Sequence, residues 1–168
     1  TVLHLHRILN EALKHAVKWQ LVARNVALAV DPPRAGHKEM QVLDSQSVHK
    51  LLEAARDTMY YPLLHLAIYT GLRRSELLGL RWKDVDLDMA ALYVVQTAHQ
   101  LRGGGIVYQE PKTAKGKRQV ALSPTAVLAL RAYREKVEVE RDILGIPLTP
   151  DSLVFSHYDG SPMLANTI

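Results

Sequence analysis

Two adjacent prolines and a glycine interrupt the chain early, in the run Asp31-Pro32-Pro33-Arg34-Ala35-Gly36-His37-Lys38. Each proline lacks a backbone N–H and fixes its own φ, and the residue before it is pushed out of the helical region, so no helix passes through this run. It also offers little apolar surface to bury. Residues 31–42 are therefore read as a linker, and the chain on either side must fold as separate units.

Before the linker, Val2, Leu5, Leu9, Ala12, Leu13 and Ala16 recur at helical spacing, while Arg7, Lys14 and Lys18 share another face. That pattern predicts an amphipathic helix with a basic side over roughly residues 1–22. After the linker, Asp44 is placed to cap a helix carrying Val48, Leu51, Leu52 and Ala55, and a more apolar helix follows over about 60–69. Gly71 supplies a left-handed residue to end it. A short helix is expected over 75–80. The pattern then changes to short β-type runs at Leu92-Tyr93-Val94-Val95, Ile106-Val107-Tyr108 and Gln119-Val120-Ala121-Leu122. Three runs in sequence suggest an antiparallel meander. Ser123-Pro124 is a cap followed by a first-turn proline, opening a long helix with Leu130, Tyr133, Val137 and Leu144 as its buried stripe and Gly145 at its end. Arg131, Arg134, Glu135, Glu138 and Arg141 are assigned to its wet side. Leu153-Val154-Phe155, followed by Asp159-Gly160, reads as a short strand entering a turn. The expected fold class is α+β, mainly α, with a small three-stranded antiparallel sheet.

Composition narrows the chemistry. Without a single Cys, disulfides, thiolate nucleophiles, zinc knuckles and iron–sulfur centres are excluded, which fits a reducing interior. No apolar stretch approaches the roughly 18–20 residues that span a bilayer, so no membrane partner is expected. Lys and Arg number 21 against 17 Asp and Glu, a net charge of +4 that permits a polyanionic partner without requiring one. The opening Thr1-Val2-Leu3 begins directly in helical periodicity without a Met, and Leu164-Ala165-Asn166-Thr167-Ile168 comes closely after a turn. Both ends are read as internal to a larger protein.

Two cationic segments stand out. Lys112-Thr113-Ala114-Lys115-Gly116-Lys117-Arg118 holds four positive side chains and no acid between two expected strands. A hairpin tip of this kind can push cations against phosphates, or can simply be a solvated charged loop. The second segment is Thr70-Gly71-Leu72-Arg73-Arg74-Ser75-Glu76-Leu77, which sets two arginines at a helix start. The positive end of the helix dipole disfavours a cation there unless an anion compensates, so Arg73 either awaits a phosphate or makes a structural salt bridge to Glu76. Other patterns carry less. The eight histidines lie at scattered positions without His-x-x-x-His spacing, so no metal is expected. Gly103-Gly104-Gly105 is not followed by the Gly-Lys-Ser/Thr ending of a phosphate loop, and no nucleotide is expected. Asp84, Asp86 and Asp88 lack the frame of a calcium loop and are read as a polar turn.

The second segment, extended through Leu78-Gly79-Leu80-Arg81-Trp82 to Asp84-Val85-Asp86, resembles the arginine box opening the catalytic domain of the tyrosine recombinases, the phage integrase family. Pro111-Lys112-Thr113, with Lys117-Arg118 and Ala121-Leu122-Ser123-Pro124, resembles that family's hairpin bearing a catalytic lysine. Leu9-Asn10-Glu11-Ala12-Leu13, Ala16-Val17, Trp19 and Asn25-Val26 look like the last helix of its DNA-gripping core-binding domain. The motifs occur in the family's own order along essentially the whole chain. The resemblance implies residues 1–30 as the end of a core-binding domain, 31–42 as the linker and 43–168 as the amino-terminal part of a catalytic domain.

It also implies a function: binding duplex DNA and, in the full-length parent, cutting and rejoining strands through a 3′-phosphotyrosyl bond, without metal or other cofactor. The parent would act as a homotetramer on DNA, as a cytoplasmic protein of bacterial or phage origin. Arg73 would stabilise negative charge on the scissile phosphate and Lys112 would protonate the departing 5′-oxygen, with Glu76 supporting Arg73. Arg74, Lys115, Lys117 and Arg118 would bind DNA phosphates. The family's His-x-x-Arg box and nucleophilic tyrosine are expected past Ile168. His4-Leu5-His6-Arg7 has the right letters but lies on the helix of the other domain, and the tyrosines present all precede the nucleophile's place, Tyr133 being assigned to the core. This chain alone is therefore expected to be inactive. The competing expectations are a non-catalytic DNA-binding or regulatory remnant of an integrase, and a helical interaction domain that never meets DNA. Reading the parent's coding sequence through about the next hundred codons, a span set by ordinary domain size, should reveal His-x-x-Arg followed by a tyrosine; their absence would favour the remnant.

Overall fold

Residues 2–32, 39–101, 103–111 and 116–164 are described by the computed structural model, whose internal contacts separate Thr1–Val42 from Leu43–Ile168. In the first unit, α1 (Val2–Lys18) forms from the expected amphipathic repeat. None of its residues is buried within this unit, and Val2, Leu5, Ile8 and Leu9 stay more than half exposed. Asn25 ties the end of the unit back to this helix. Its Oδ1 accepts from Ala27 N at 3.0 Å to start a 3-10 turn over Val26–Ala29, and its amide donates to Asn10 O and Oδ1 at 3.1 and 2.7 Å. The basic face is exposed as expected, with Lys14 paired to Glu11.

The second unit opens at Asp44, whose carboxylate accepts from Ser47 N at 2.8 Å and caps α2 (Ser45–Ala55), as the sequence indicated. Next, α3 (Tyr61–Thr70) buries Leu63 and Leu66 and stops at Gly71, whose φ of 63° is the left-handed conformation that glycine adopts without a Cβ penalty. The short helix α4 (Arg74–Leu78) comes next, then a 3-10 turn over Trp82–Asp84. Strands β1 (Val85–Asp86), β2 (Ala91–Val94) and later β5 (Arg118–Ala121) form an antiparallel sheet in the order β1-β2-β5. Between β2 and β5 lies a separate hairpin of β3 (Thr97–Gln100) and β4 (Ile106–Gln109). The long helix α5 (Pro124–Ile143) begins at Ser123, whose Oγ accepts from Ala126 N, and packs against α3. Phe155, Leu92, Leu66 and Leu130 lie at the centre of the core these elements enclose.

The fold class is as expected, mainly helical with small antiparallel sheets. The strand pairing differs from the expected meander. Ile106–Gln109 pairs with Thr97–Gln100, a segment with no strong strand signal, and β2 is thereby left to pair directly with β5. What holds β3 in place is tertiary. Gly79, just past α4, lies so close to the chain entering β3 that a Cβ there would meet Gln96 O, Thr97 Cα and Ala98 N, each at 3.1 Å. Gln96 Nε2 also donates to Gly79 O at 2.8 Å.

A second difference concerns the end of α5. Leu130, Tyr133 and Val137 are buried as expected, but the next buried position is Arg141, only 3% exposed, while Leu144 is 53% exposed. The chain beyond α5 explains the exchange. Arg141 Nη1 and Nη2 donate to Ser152 Oγ and Ser156 Oγ at 3.2 and 2.8 Å, so the guanidinium fastens that segment over the helix end. The same segment is bonded to the chain after α4, through Trp82 N to Ser152 O and Val154 N to Leu80 O. Leu153-Val154-Phe155 makes only an isolated antiparallel bridge there, from Leu153 to Arg81, instead of a full strand. No described helix is long and apolar enough to cross a membrane.

Because three backbone atoms crowd the missing Cβ, Gly79→Ala should destabilise the chain by about 1–3 kcal/mol, the usual cost of overpacking. Urea unfolding is the check; an unchanged midpoint would mean that the hairpin shifts freely away from α4.

Candidate functional site

The site begins with local chain geometry. After the left-handed Gly71, Arg73 takes an extended conformation (φ −68°, ψ 149°) as the residue before α4, and Glu76 falls three positions later in the helix's first turn. The Glu76 side chain turns back on the helix start. Its Oε2 accepts from Arg73 N at 2.8 Å and its Oε1 from Arg73 Nη1 at 3.1 Å. This carboxylate supplies the negative charge that a helix N-terminus favours and that two leading arginines lack. Exposure divides the pair sharply: the Glu76 side chain is 4% exposed and that of Arg73 77%. Arg73 is thus anchored at its backbone N–H and at one guanidinium nitrogen, and the rest of its planar fork faces solvent.

The other side of Glu76 is occupied from far along the chain. Arg118 opens β5 opposite Val94 of β2, and its Nη1 and Nη2 donate to Glu76 Oε1 and Oε2, both at 2.9 Å. One buried carboxylate therefore accepts four hydrogen bonds from two arginines. Their effect is to bring the Glu76 carboxyl from 4.5 down to about 2: the Arg118 hydrogen bonds favour the ionised form most, burial opposes them, and the Arg73 backbone and side-chain bonds add to the lowering. The same contact raises Arg118 further above its ordinary value.

Arg118 also marks where the cationic segment rejoins the sheet. Lys112 and Lys115 lie outside the described residues, but both flanks of their segment are defined. Pro111 and Gly116 approach so closely that a Cβ on Gly116 would run into the proline ring. Next to them, Lys117 Nζ and Glu110 Oε2 form an ion pair at 2.8 Å. Of the expected site residues, the fold brings Arg73, Glu76 and Arg118 together. Lys117 is engaged at the pinched flank, and Arg74 is exposed in the first turn of α4.

The remaining candidates have structural employment. Tyr133 is buried between Trp82 and Phe155, its hydroxyl pushed up to about 12 by burial, in keeping with a core assignment. Asp86 accepts from the backbone of Asp88 and Met89 in the turn between β1 and β2, while Asp84 pairs with Arg81 and Asp88 with Arg131. The contact missed from sequence is Arg118 with Glu76, 42 residues apart. The available signal is strand alternation, which puts Arg118 on the same inward-leaning face as Val120.

Comparison with known proteins identifies the family. The model of the phage integrase family matches residues 41–168, and the chain belongs to that family. It is 34% identical over 122 residues to the tyrosine recombinase XerC of Xanthomonas campestris pv. campestris, covering 70% of this chain and 33% of that protein. It is 29% identical over 171 residues to an integrase of Streptomyces ambofaciens, covering 98% of this chain and 43% of that protein. The chain thus spans less than half the length of these curated relatives. Among solved structures, the Tn1549 transposon integrase in complex with a circular intermediate DNA superposes with a TM-score of 0.81 at 20% identity, over 97% of this chain and 53% of the other. That likeness concerns the fold.

A carboxylate whose folded value lies near 2 contributes stability that is complete above its unfolded value of about 4.5 and is lost as pH falls through about 2. Denaturant midpoints should therefore decline between about pH 5 and pH 2, the Glu76 share being on the order of 3 kcal/mol. In Glu76→Gln that share of the acid dependence should vanish. An identical decline in both proteins would place the titrating groups elsewhere.

Proposed function

We propose that this chain is part of a site-specific tyrosine recombinase, an integrase that binds duplex DNA and, in its full-length form, cleaves and rejoins strands through a 3′-phosphotyrosyl intermediate. The observation that carries the reading is the Arg73 guanidinium, held at one edge by a buried carboxylate and open to solvent over the remainder, within the arginine-box motif of the family to which the chain belongs. Support for a DNA partner comes from the relatives solved with DNA, including a lambda integrase tetramer bound to a Holliday junction, on which a tetrameric parent is also proposed.

In this reading, residues 1–30 close the core-binding domain, 31–42 link it onward and 43–168 begin the catalytic domain. The tyrosine hydroxyl, supplied by the parent beyond Ile168, gives its proton to a base of the parent's His-x-x-Arg box and attacks the scissile phosphorus; the P–O bond to the 5′-oxygen breaks, and Lys112 delivers the proton that this oxygen takes up. Arg73 faces the non-bridging oxygens while negative charge builds on them, and a planar fork with free donors suits that task better than a point charge. Arg74, Lys115 and Lys117 are assigned to phosphates along the duplex. The 168 residues alone are assigned no cleavage activity. The non-catalytic alternative draws no specific support from the geometry.

Ala at Arg73 or at Lys112 in the full-length protein should slow strand cleavage by about 10²–10³-fold, the scale of losing one preorganised charge-stabilising donor. Duplex affinity should fall far less and keep its steep salt dependence. Cleavage assays on saturating DNA, paired with binding titrations, decide the matter. Equal losses in binding and cleavage would reduce both residues to phosphate contacts, and phosphotyrosyl adducts formed by the isolated 168 residues would overturn the assignment of the nucleophile.

A further inference from the structure

The cluster around Glu76 contains two arginines in unlike situations. Arg73 gives one guanidinium nitrogen to the carboxylate and is 77% exposed, whereas Arg118 gives both terminal nitrogens, in a parallel two-pronged bond, and its side chain is one-third exposed. Two guanidinium groups around one carboxylate leave one net positive charge, and the exposed member is Arg73. Arg118 is therefore poorly placed for the phosphate-binding role that its sequence neighbourhood suggests. Its Nη1 also reaches Gly116 O at 3.5 Å, at the point where segment 112–115 rejoins the described chain.

We propose that Arg118 is a positioning residue: its two-pronged hold on Glu76 fixes Arg73 at the start of α4 and ties the strand leaving segment 112–115 to that same helix. The proposal rests on the recombinase reading for its catalytic consequence and on the ion-pair geometry for its physical content. Without Arg118, Glu76 keeps only the Arg73 bonds, one from the backbone N–H and one from a side chain largely in solvent. The carboxylate is then free to protonate or to rotate, and Arg73 loses the rigid partner that orients it. Among the described residues, the charged and titratable groups facing Glu76 are Arg73 from the start of its own helix and Arg118 from β5.

The test uses the full-length parent with Arg118→Gln and Arg118→Lys. Cleavage by Arg118→Gln on saturating DNA should fall by about a hundredfold, the scale of a misplaced catalytic group, while duplex affinity and its salt slope stay those of the unaltered protein. The rate should also acquire an acid limb, declining from about pH 6 to about pH 4 as Glu76 returns toward its ordinary 4.5. Arg118→Lys, which restores charge without the fork, should recover part of the rate. Independently of activity, a carbon-13 NMR titration of the Glu76 carboxyl should show it ionised down to about pH 2 with Arg118 present and titrating near its ordinary 4.5 in Arg118→Gln. An unchanged cleavage rate with weaker binding and a salt slope smaller by about one would overturn the proposal and make Arg118 a phosphate contact. So would a Glu76 carboxyl still ionised to about pH 2 in Arg118→Gln. If the unaltered parent binds DNA but cuts none, the recombinase reading fails and the titration alone decides the inference. Should Arg118→Gln fail to fold, Arg118→Lys decides, since a rate equal to the unaltered protein's would show that the fork is not needed.

Discussion

A carboxylate taken out of water has to be met by positive charge, and in this chain that requirement falls on Glu76. Unpaired, it would cost several kcal/mol; held by three hydrogen bonds from two guanidinium groups and a fourth from the Arg73 backbone N–H, it stays ionised in a nearly dry position. The pairing constrains more than the three residues involved. Arg118 can reach Glu76 only when β5 lies beside β2 and α4 has turned back after Gly71, so the local turn and the sheet register must both be in place before the carboxylate can be buried. Breaking either one strands a charge.

The sheets and helices divide the work accordingly. The elements that fix the cluster are short, with α4 spanning five residues and β5 four, and their rigidity is borrowed from neighbours. Leu77 and Leu78 on α4 are buried in the core, and Gly79 brings the chain after it into direct backbone contact with the entry to β3. On the far side, the segment around Ser152 and Val154 is hydrogen-bonded to Leu80 and Trp82, and the buried Arg141 secures it from α5. A side chain that presents most of its surface to solvent, as Arg73 does, thus stands on a helix packed into the core and bonded to its neighbours. Preorganised charge in an enzyme site requires such support.

Much of this fold is legible in the amino-acid order because its instructions are local. Asp44 and Ser123 cap the helices they precede, Gly71 ends the helix before it, and the apolar repeat of α5 identifies Leu130, Tyr133 and Val137 correctly. The features that sequence does not reveal depend on partners distant along the chain. Thr97–Gln100 becomes a strand through contact with Gly79, and Arg141 is buried because serine hydroxyls arrive from 11 and 15 residues later. The site obeys the same rule. Arg73 with Glu76 is a three-residue relation that helix geometry makes visible, whereas the 42-residue span from Glu76 to Arg118 has no local signature, and a basic run around Arg118 points a reader toward phosphates instead.

The close approach of Pro111 to Gly116 bears on how proteins of this design can vary. A strand keeps its inward and outward faces only if no residue is gained or lost within it, so Arg118 tolerates no slippage along β5. The pinch and the adjoining pair of Glu110 and Lys117 lie immediately before the start of that strand. Lengthening a closed loop costs little, since the entropy of closure grows only with the logarithm of its length. A residue gained between Pro111 and Gly116 need not move the ion pair at the foot of β5, so the register of Arg118 and the spacing of Lys112 from its flanks answer to separate constraints.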